Sequence, residues 1–261
     1  MTRVDTSIHV GIPDDARNLI WNVFFFRAER GVNFHAHLPW SDAPDTRAAV
    51  LRDASGATVA AAVIRPAPQP GVAMIGFVCV DAGFRGQGHA RTLIAFVNTT
   101  LDATGSRAAL LWTTKPSLYA QHGYTLIGQD VSLQVTRTIS APSTALLVKI
   151  NPWPPHGCIA ALPAFASSGS SYRSDRAEAV IVRGAKGPTL LDWRGALEDV
   201  VALLDAAGVD GWSVNVTSAD AFVALLDPNQ YTIVRHDGAM TMARHADTTL
   251  TIDHVPIAAR I

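Results

Sequence analysis

A buried apolar run leads directly into a glycine-rich turn and then into an amphipathic helix, and this feature constrains the fold most. The run and the turn read Phe77-Val-Cys-Val-Asp-Ala-Gly-Phe-Arg-Gly-Gln-Gly-His-Ala90, and apolar residues at helical spacing continue to Asn98. This order predicts a strand, a tight turn and a helix. Backbone N–H groups of such a turn and the positive end of the helix dipole converge on one point. We therefore expect the turn to bind a phosphate, with a purely structural turn as the alternative.

The spacing within the turn narrows the kind of phosphate site. Arg85, Gly88 and Ala90 follow the order Arg-x-x-Gly-x-Ala. Dinucleotide-binding loops read Gly-x-Gly-x-x-Gly and nucleoside triphosphate loops end in Gly-Lys-Ser/Thr, and the turn has neither pattern. It resembles instead the Gln/Arg-x-x-Gly-x-Gly/Ala pyrophosphate loop of the GCN5-related N-acetyltransferase (GNAT) family, whose members depend on acyl-coenzyme A.

A second motif follows downstream in the order that this family shows. The run Ala108-Ala-Leu-Leu-Trp-Thr113 predicts another buried strand, and Ser117-Leu-Tyr-Ala-Gln-His-Gly-Tyr124 predicts a short helix closed by glycine. The latter is similar to the family's Leu-Tyr-x-x-x-Gly-Phe segment, with Tyr119 and Tyr124 at its two aromatic positions. Two motifs in the same order favour an acyltransferase over an unrelated α/β domain.

The resemblance implies an α/β (α+β) fold with two GNAT-like domains. Each is expected to hold a mixed, mostly antiparallel twisted sheet flanked by helices. We place the catalytic, acyl-CoA-binding domain at residues 1–140 and a degenerate second domain at 141–261, which includes an irregular Pro/Ser/Gly-rich segment at 150–176. In the first domain the resemblance implies two parallel strands that splay apart, at Ile75–Val80 and Leu110–Thr113.

Local patterns predict several further elements. Apolar spacing indicates a helix from Asp14, as its cap, to about Glu29, and Ala48 to Ile64 reads as a hairpin. A strand is expected at Ala145–Lys149. Residues 125–139 are predicted to form a strand pair with a turn near 128–130, and residues 231–242 a hairpin.

The second half of the chain repeats the order of the first without its chemistry. Arg85 and Tyr124 are 39 positions apart, and Arg194 and Tyr231 are 37 apart. In the repeat Leu197 replaces Gly88, and the acidic residues that follow Leu197 would repel a pyrophosphate. Leu226 replaces Tyr119. The second domain is therefore predicted to serve structure or one wall of the acceptor site.

The resemblance assigns a set of residues to the coenzyme. Main-chain groups of the splayed strand would pair with pantetheine, and those of the turn would bind the diphosphate; the residues are Val78, Cys79, Val80, Arg85, Gly86, Gln87, Gly88, His89 and Ala90. A strand N–H near Val78 or Cys79 would hold the thioester oxygen. The side chains of His89 and His122 are expected on exposed helix turns or near phosphate, and Asp81 is interpreted as a loop-capping carboxylate with a base as the alternative.

Two nucleophile or acid candidates stand in these motifs. Cys79 is interpreted as a small apolar core residue rather than an acyl carrier, because no activating base is evident beside it. The resemblance places the hydroxyl of Tyr119 near the coenzyme sulfur, where it would protonate the leaving thiolate as general acid. A core aromatic is the alternative for Tyr119.

The segment Arg27-Ala-Glu-Arg-Gly-Val-Asn-Phe-His-Ala-His-Leu-Pro-Trp40 is expected to form the acceptor pocket. Glu29 and His35 are the candidate bases there, with a water as the alternative. His37 and Trp40 are the candidate substrate contacts, Trp40 as a stacking surface. His-x-His is half of a metal site, but without nearby Cys or an identifiable third ligand we expect no metal.

Composition limits the partners and the compartment. A net charge of −1 and a pI near 6.7 give no basic footprint for nucleic acid. No signal-peptide pattern and no apolar run of the roughly 20 residues that a membrane span needs are evident. The two cysteines, Cys79 and Cys158, fit a reducing compartment. We expect a cytoplasmic protein without nucleic-acid or membrane partners, with a homodimer as an option.

The sequence thus predicts an acyl-CoA-dependent N-acyltransferase. Its co-substrate would be acetyl-CoA or another acyl-CoA, and its acceptor a small-molecule amine. Some proteins with this two-domain arrangement acylate nucleotide-linked amino sugars, which makes such a sugar the first acceptor hypothesis, ahead of an antibiotic, a polyamine or an amino acid. The alternatives from other classes are a non-catalytic acyl-CoA-binding regulator and a scaffolding protein.

Overall fold

The structure is a computed structural model that describes residues 4–29, 31–139, 146–155 and 161–261. The chain divides into two compact units. The first contains residues up to Gly128 together with Met240–Ile261, and the second contains Gln129–Ala239. This division differs from the expected boundary at residue 140, because two long strands each continue from one unit into the other.

The described residues of the first unit form five complete strands and four α-helices. Its strands are β1 (Asp5–Val10), β2 (Arg47–Arg52), β3 (Thr58–Pro66), β4 (Val72–Val80) and β5 (Ala108–Thr113). Its helices are α1 (Asp14–Phe24), α2 (Phe34–His37), α3 (His89–Ala103) and α4 (Pro116–Ala120). The long strand β6 (Thr125–Arg137) begins in this unit. The hairpin predicted at residues 48–64 is confirmed as β2 and β3, which pair antiparallel.

The second unit supplies the remaining strands and helices. Its strands are β7 (Lys149–Pro152), β8 (Ala166–Arg173), β9 (Glu178–Gly184), β10 (Gly187–Arg194), β11 (Gly211–Val216) and the start of β12 (Tyr231–His245). Its helices are α5 (Leu197–Ala206) and α6 (Asp220–Leu225). The mixed, mostly antiparallel sheet flanked by helices is confirmed in both units, and each unit holds one parallel pair: β4 with β5, and β10 with β11.

Four local predictions are wrong. Residues 125–137 form one unbroken strand rather than a strand pair, and residues 231–245 do the same. Both strands continue because their later residues pair with new neighbours: Gly211–Val216 for β6 and Ala108–Thr113 for β12. The segment expected to be irregular contains strand β8, since residues 166–173 pair antiparallel with β9. The strand expected at Ala145–Lys149 begins at Lys149 instead.

The first helix also differs from its prediction. It ends at Phe24 and is capped by Pro13 rather than by Asp14, and a short 3₁₀ turn at Phe26–Ala28 follows. Residues 140–145 and 156–160, which include Cys158, lie outside the described residues. Among the residues that the structure does describe, no helix is long and apolar enough to cross a membrane.

Both faces of the first unit's sheet are covered. On one face α3 and α4 bury an apolar cluster that includes Leu93, Val97 and Tyr119. On the other face, the segment after β12 packs Val255 and Ile261 against β4 and β5. This covering is close at Gly76, where an added Cβ would lie 2.6 Å from the backbone oxygen of Ile261. Strands β4 and β5 are therefore held between two layers.

Candidate active site

Strands β4 and β5 are parallel neighbours whose pairing ends before the strands themselves do. Their pairing runs from Val72 with Ala108 to Met74 with Leu110 and stops there. Strand β4 nevertheless continues along β3 as far as Val80, and β5 continues along β12 as far as Thr113. Beyond Met74 and Leu110, the edges of the two strands that face each other are unpaired and border a cleft. This is the splay expected at these positions.

A β-bulge lies in β4 where the cleft opens. The register with β3 shifts between Ala61, opposite Cys79, and Val63, opposite Gly76. Phe77 is the extra residue of the bulge. Its φ is +50°, which is uncommon for a bulky side chain. Its ring is held edge-on by Phe24 at a centroid distance of 5.2 Å. The bulge precedes Val78 on the strand edge that β5 leaves unpaired, and no sequence pattern indicated it.

The glycine-rich turn reaches α3 through two left-handed glycines. Gly86 has a φ of +78° and Gly88 a φ of +84°, and neither would have an atom within 4 Å of an added Cβ. Asp81 accepts a hydrogen bond from the Gly83 N–H at 2.9 Å, so it caps the loop as interpreted. The first N–H groups of α3 have no intrahelical acceptor and carry the positive end of its dipole. The turn therefore has open space beside Gly86 and Gly88 and is positively polarised, as an anion site requires.

The side chains of the turn differ in their exposure to solvent and in their hydrogen bonds. Arg85 is exposed and holds the turn to β4 through a 3.3 Å bond from Nε to the Val80 carbonyl. Gln87 is exposed, and its Nε2 lies 3.4 Å from the Gly83 carbonyl. Of the two placements expected for His89, the structure excludes an exposed helix turn, because its ring is buried near Phe84. A place near a bound phosphate stays a prediction.

Tyr119 lies near the end of α4 with a buried ring and an unused hydroxyl. The residue is 9% exposed, and its hydroxyl makes no hydrogen bond with the described residues. Burial raises the pKa of this phenol to about 12. The group is therefore protonated at neutral pH and has a proton to donate. The neighbouring His122 is half-buried rather than exposed, and burial followed by the charge of Arg91 lowers its pKa.

Cys79 is part of the strand's buried side. The residue is 4% exposed, and burial raises the pKa of its thiol to about 12. A thiol that stays protonated is a poor nucleophile. Cys79 could therefore contact a coenzyme through its main chain and not through its thiol.

The side chains of two expected substrate contacts, His37 and Trp40, are buried in the core. His37 is 3% exposed; its Nε2 accepts the Val32 N–H at 3.0 Å, and its ring lies against Phe25. Trp40 is 6% exposed, and the Arg65 guanidinium covers its ring at 4.6 Å from the centroid. Neither ring is open to a ligand in this structure.

The candidate bases are exposed, and the structure does not bring them to Tyr119. Glu29 lies on a turn with a φ of +50°, and its carboxylate has no ion pair or hydrogen bond with the described residues. His35 borders a surface groove of about 630 Å³ beside α1, which Arg17, Trp21 and Phe34 also line. Within the described ranges, no group of three or more His, Cys, Asp or Glu residues could hold a metal ion.

The second unit has a similar pair of splayed parallel strands, but it lacks the glycine turn and the tyrosine of the first unit. Strands β10 and β11 pair only at Thr189 with Ser213 and at Leu190 with Val214. Helix α5 begins with Glu198 and Asp199 in its first turn, so carboxylates occupy the place of an anion. Leu226, at the position of Tyr119 in the repeat, is buried. This unit offers no phosphate site at the corresponding helix.

Comparisons with known proteins agree with this geometry. Residues 14–128 match the model of the Acetyltransferase (GNAT) family. No curated protein matches the chain. Among solved structures, a GCN5-related N-acetyltransferase from Anabaena variabilis is 16% identical with a TM-score of 0.66, covering 92% of this chain and 73% of that one. One from Kribbella flavida is 14% identical with a TM-score of 0.63, covering 94% and 72%.

The likeness also extends to a two-domain protein. A tandem GNAT protein from the clavulanic acid biosynthesis pathway is 11% identical with a TM-score of 0.63, covering 94% of this chain and 99% of that one. At such identities the likeness establishes the fold of the whole chain. The family match shows that residues 14–128 form a GCN5-related N-acetyltransferase (GNAT) domain, and the structural likeness shows the same fold over most of the chain.

Proposed function

We propose that the chain is an acyl-CoA-dependent N-acyltransferase that moves an acetyl or other short acyl group onto the amine of a small acceptor. The observation that carries this proposal is the open glycine turn at the start of α3, next to the cleft between β4 and β5. A turn closed by its own side chains would have offered no room for a diphosphate. The hydroxyl of Tyr119, which has no hydrogen-bond partner among the described residues, supplies the second part of the argument.

Each part of the site has a role that follows from its chemistry. The amides of residues 86–90 would bind the diphosphate, and the free edge of β4 would pair with the pantetheine amides. An acyl-CoA supplies the activated thioester. A backbone N–H at Val78 or Cys79 would stabilise the negative charge that develops on the thioester oxygen. Tyr119 would donate its proton to the leaving sulfur as the new amide bond forms.

The acceptor is an amine of low pKa, with a nucleotide-linked amino sugar as the first candidate. The described residues place neither Glu29 nor His35 in contact with Tyr119. An amine with a pKa near 8 is about one-tenth free base at pH 7, whereas a lysine amine near 10.4 is less than about 0.1% free base. A weakly basic amine therefore needs the least help from a protein base.

The test is the release of free coenzyme A thiol. The protein is mixed with acetyl-CoA and a panel of amines that contains nucleotide-linked amino sugars, aminoglycosides, polyamines and amino acids. The proposal predicts thiol release that depends on one class of amine and that the Tyr119→Phe variant loses. Tight binding of acetyl-CoA without thiol release for any amine would favour the non-catalytic regulator instead. Absence of acetyl-CoA binding would reject both.

A further inference from the structure

We infer that Asn98 is a positioning residue for Tyr119. It lies on the buried face of α3, and it acts on the proposed proton donor through two hydrogen bonds to the turn that follows α4. This inference rests on the function proposed for Tyr119. It adds a residue that neither of the two sequence motifs contains.

Asn98 uses both ends of its amide to join α3 to the segment after α4. The residue is 8% exposed. Its Oδ1 accepts a hydrogen bond from the Tyr124 hydroxyl at 2.9 Å. Its Nδ2 donates to the His122 carbonyl at 3.1 Å. One side chain thus fixes two points of the same turn.

The turn that Asn98 holds is bonded directly to Tyr119. The Tyr119 carbonyl accepts the N–H of His122 at 2.8 Å and that of Tyr124 at 3.3 Å. The rings of Tyr119 and Tyr124 meet edge to face with centroids 6.0 Å apart. A change in the position of Tyr124 would therefore change both the backbone and the ring contact of Tyr119.

Helix α4 needs such external support. It contains five residues, Pro116–Ala120, and a helix this short is unstable without tertiary contacts. The hydroxyl of Tyr119 makes no hydrogen bond with the described residues, so other contacts have to orient its ring. The links through Asn98 are the polar contacts that tie this turn to α3 at its buried side.

The choice of asparagine is informative because its position is apolar. Asn98 lies one turn from Ile94 and Leu101, both buried on the same helix face. A leucine there would bury apolar area without a polar group that requires partners. An amide with both ends bonded specifies one orientation of its partners, which general apolar packing does not.

The first test compares kinetics. Asn98→Leu is expected to lower kcat about tenfold while the KM for acetyl-CoA changes less than about twofold, because the coenzyme loop is untouched. In a Tyr119→Phe background Asn98→Leu should have no further effect on kcat, since the group that it positions is gone. Multiplying losses in the double variant, or an unchanged kcat in the single one, would overturn the inference.

Controls separate positioning from folding. Thr99→Ala changes the neighbouring residue, whose hydroxyl bonds to Ala95 of its own helix, and should leave kcat unchanged. Tyr124→Phe keeps the ring and removes the hydroxyl alone, so it should reproduce part of the Asn98→Leu effect. This variant tests the same link if Asn98→Leu does not fold.

A second readout does not need turnover. The chain has four tyrosines, so fluorine NMR of 3-fluorotyrosine protein gives four resonances, and the Tyr119→Phe variant assigns that of Tyr119. Asn98→Leu should shift or broaden the Tyr119 resonance, and Thr99→Ala should not. An unmoved Tyr119 resonance refutes the positioning role even if the enzyme is active. A moved resonance in a protein that acylates no amine supports positioning and rejects the proposed function.

Discussion

The rings of Tyr119 and Tyr124 meet edge to face at a centroid distance of 6.0 Å, yet only the hydroxyl of Tyr124 is hydrogen-bonded, to Asn98. The two tyrosines, five positions apart, therefore have different roles in the same turn. Tyr124 anchors the turn to α3. Tyr119 keeps its hydroxyl free, and burial raises the pKa of that group to about 12.

Tyr119→Phe removes the proposed proton donor and little else. Because no residue that the structure describes is hydrogen-bonded to this hydroxyl, we expect stability to stay within about 0.5 kcal/mol of the original. Loss of a general acid lowers kcat by about 100-fold or more, with the KM for acetyl-CoA nearly unchanged. Steady-state kinetics against acetyl-CoA measure both. A variant that keeps more than half of the original kcat would rule out proton donation by Tyr119.

Gly88→Ala tests the turn, with Gly56→Ala as its matched control. Both glycines have a positive φ, +84° and +86°, and open space around the missing Cβ. Each substitution costs about 1–2 kcal/mol of backbone strain. Only at Gly88 would relief of that strain move the amides that bind the diphosphate, so we expect at least a tenfold loss of acetyl-CoA affinity there and none at Gly56. Equal affinities of the two variants in calorimetry would contradict this.

Gly76→Ala tests the layer that covers β4. The new Cβ would lie 2.6 Å from the backbone oxygen of Ile261, so the segment that packs there has to move. We expect a loss of about 1–3 kcal/mol in the free energy of unfolding and faster proteolysis of residues 246–261. Gly128→Ala is the control, since its Cβ would meet only Thr241 at 4.0 Å. Similar urea midpoints for both variants would show that this contact is not tight.

Burial of Cys79 predicts how stability depends on alkaline pH. An unfolded thiol ionises near its usual pKa of 9.0, and the folded one only near 12. The unfolded state therefore loses its proton first, so this contribution is fully present below pH 9 and is lost as pH rises toward 12. The slope amounts to at most about 1.4 kcal/mol per pH unit. Urea unfolding at several pH values should show a shallower decline for Cys79→Ala; equal slopes would contradict a buried, protonated thiol.

A buried ion pair in the second unit predicts a large effect on stability. Arg137 is 3% exposed at its side chain and lies 2.7 Å from Asp205, whose second partner is the Tyr231 hydroxyl. Arg137→Met leaves the carboxylate without its cation, and we expect a loss of about 3–5 kcal/mol. The exposed pair Arg173–Glu178, also at 2.7 Å, is the control, and Arg173→Met should cost less than about 1 kcal/mol. Comparable losses in urea unfolding would show that burial does not govern the pair.

The strands and the glycine turn of the candidate site could be predicted from the sequence because local rules govern them. Gly86 and Gly88 adopt backbone angles that glycine favours, and the run before them is a strand. Hydrophobic patterning likewise located β5 at Ala108–Thr113. Each of these features depends on residues that are neighbours in the chain.

The acceptor side could not be predicted in the same way. His37 and Trp40 are polar or amphipathic residues in a loop, and only the packed structure shows that Phe25 and Arg65 cover their rings. The bulge at Phe77 depends on pairing with β3, which leaves no local signal. Asn98 did leave one, since it is a polar residue on an apolar helix stripe, but its partners lie in another segment.

Binding of acetyl-CoA, followed by titration calorimetry on the original protein and on Gly88→Val, tests the central claim most directly. The account predicts a saturable heat with one site per chain for the original protein, and at least a tenfold weaker affinity for a variant with a branched side chain at φ +84°. No heat with the original protein, or an equal affinity for the variant, would contradict the claim that the amides at the start of α3 bind the diphosphate of the coenzyme.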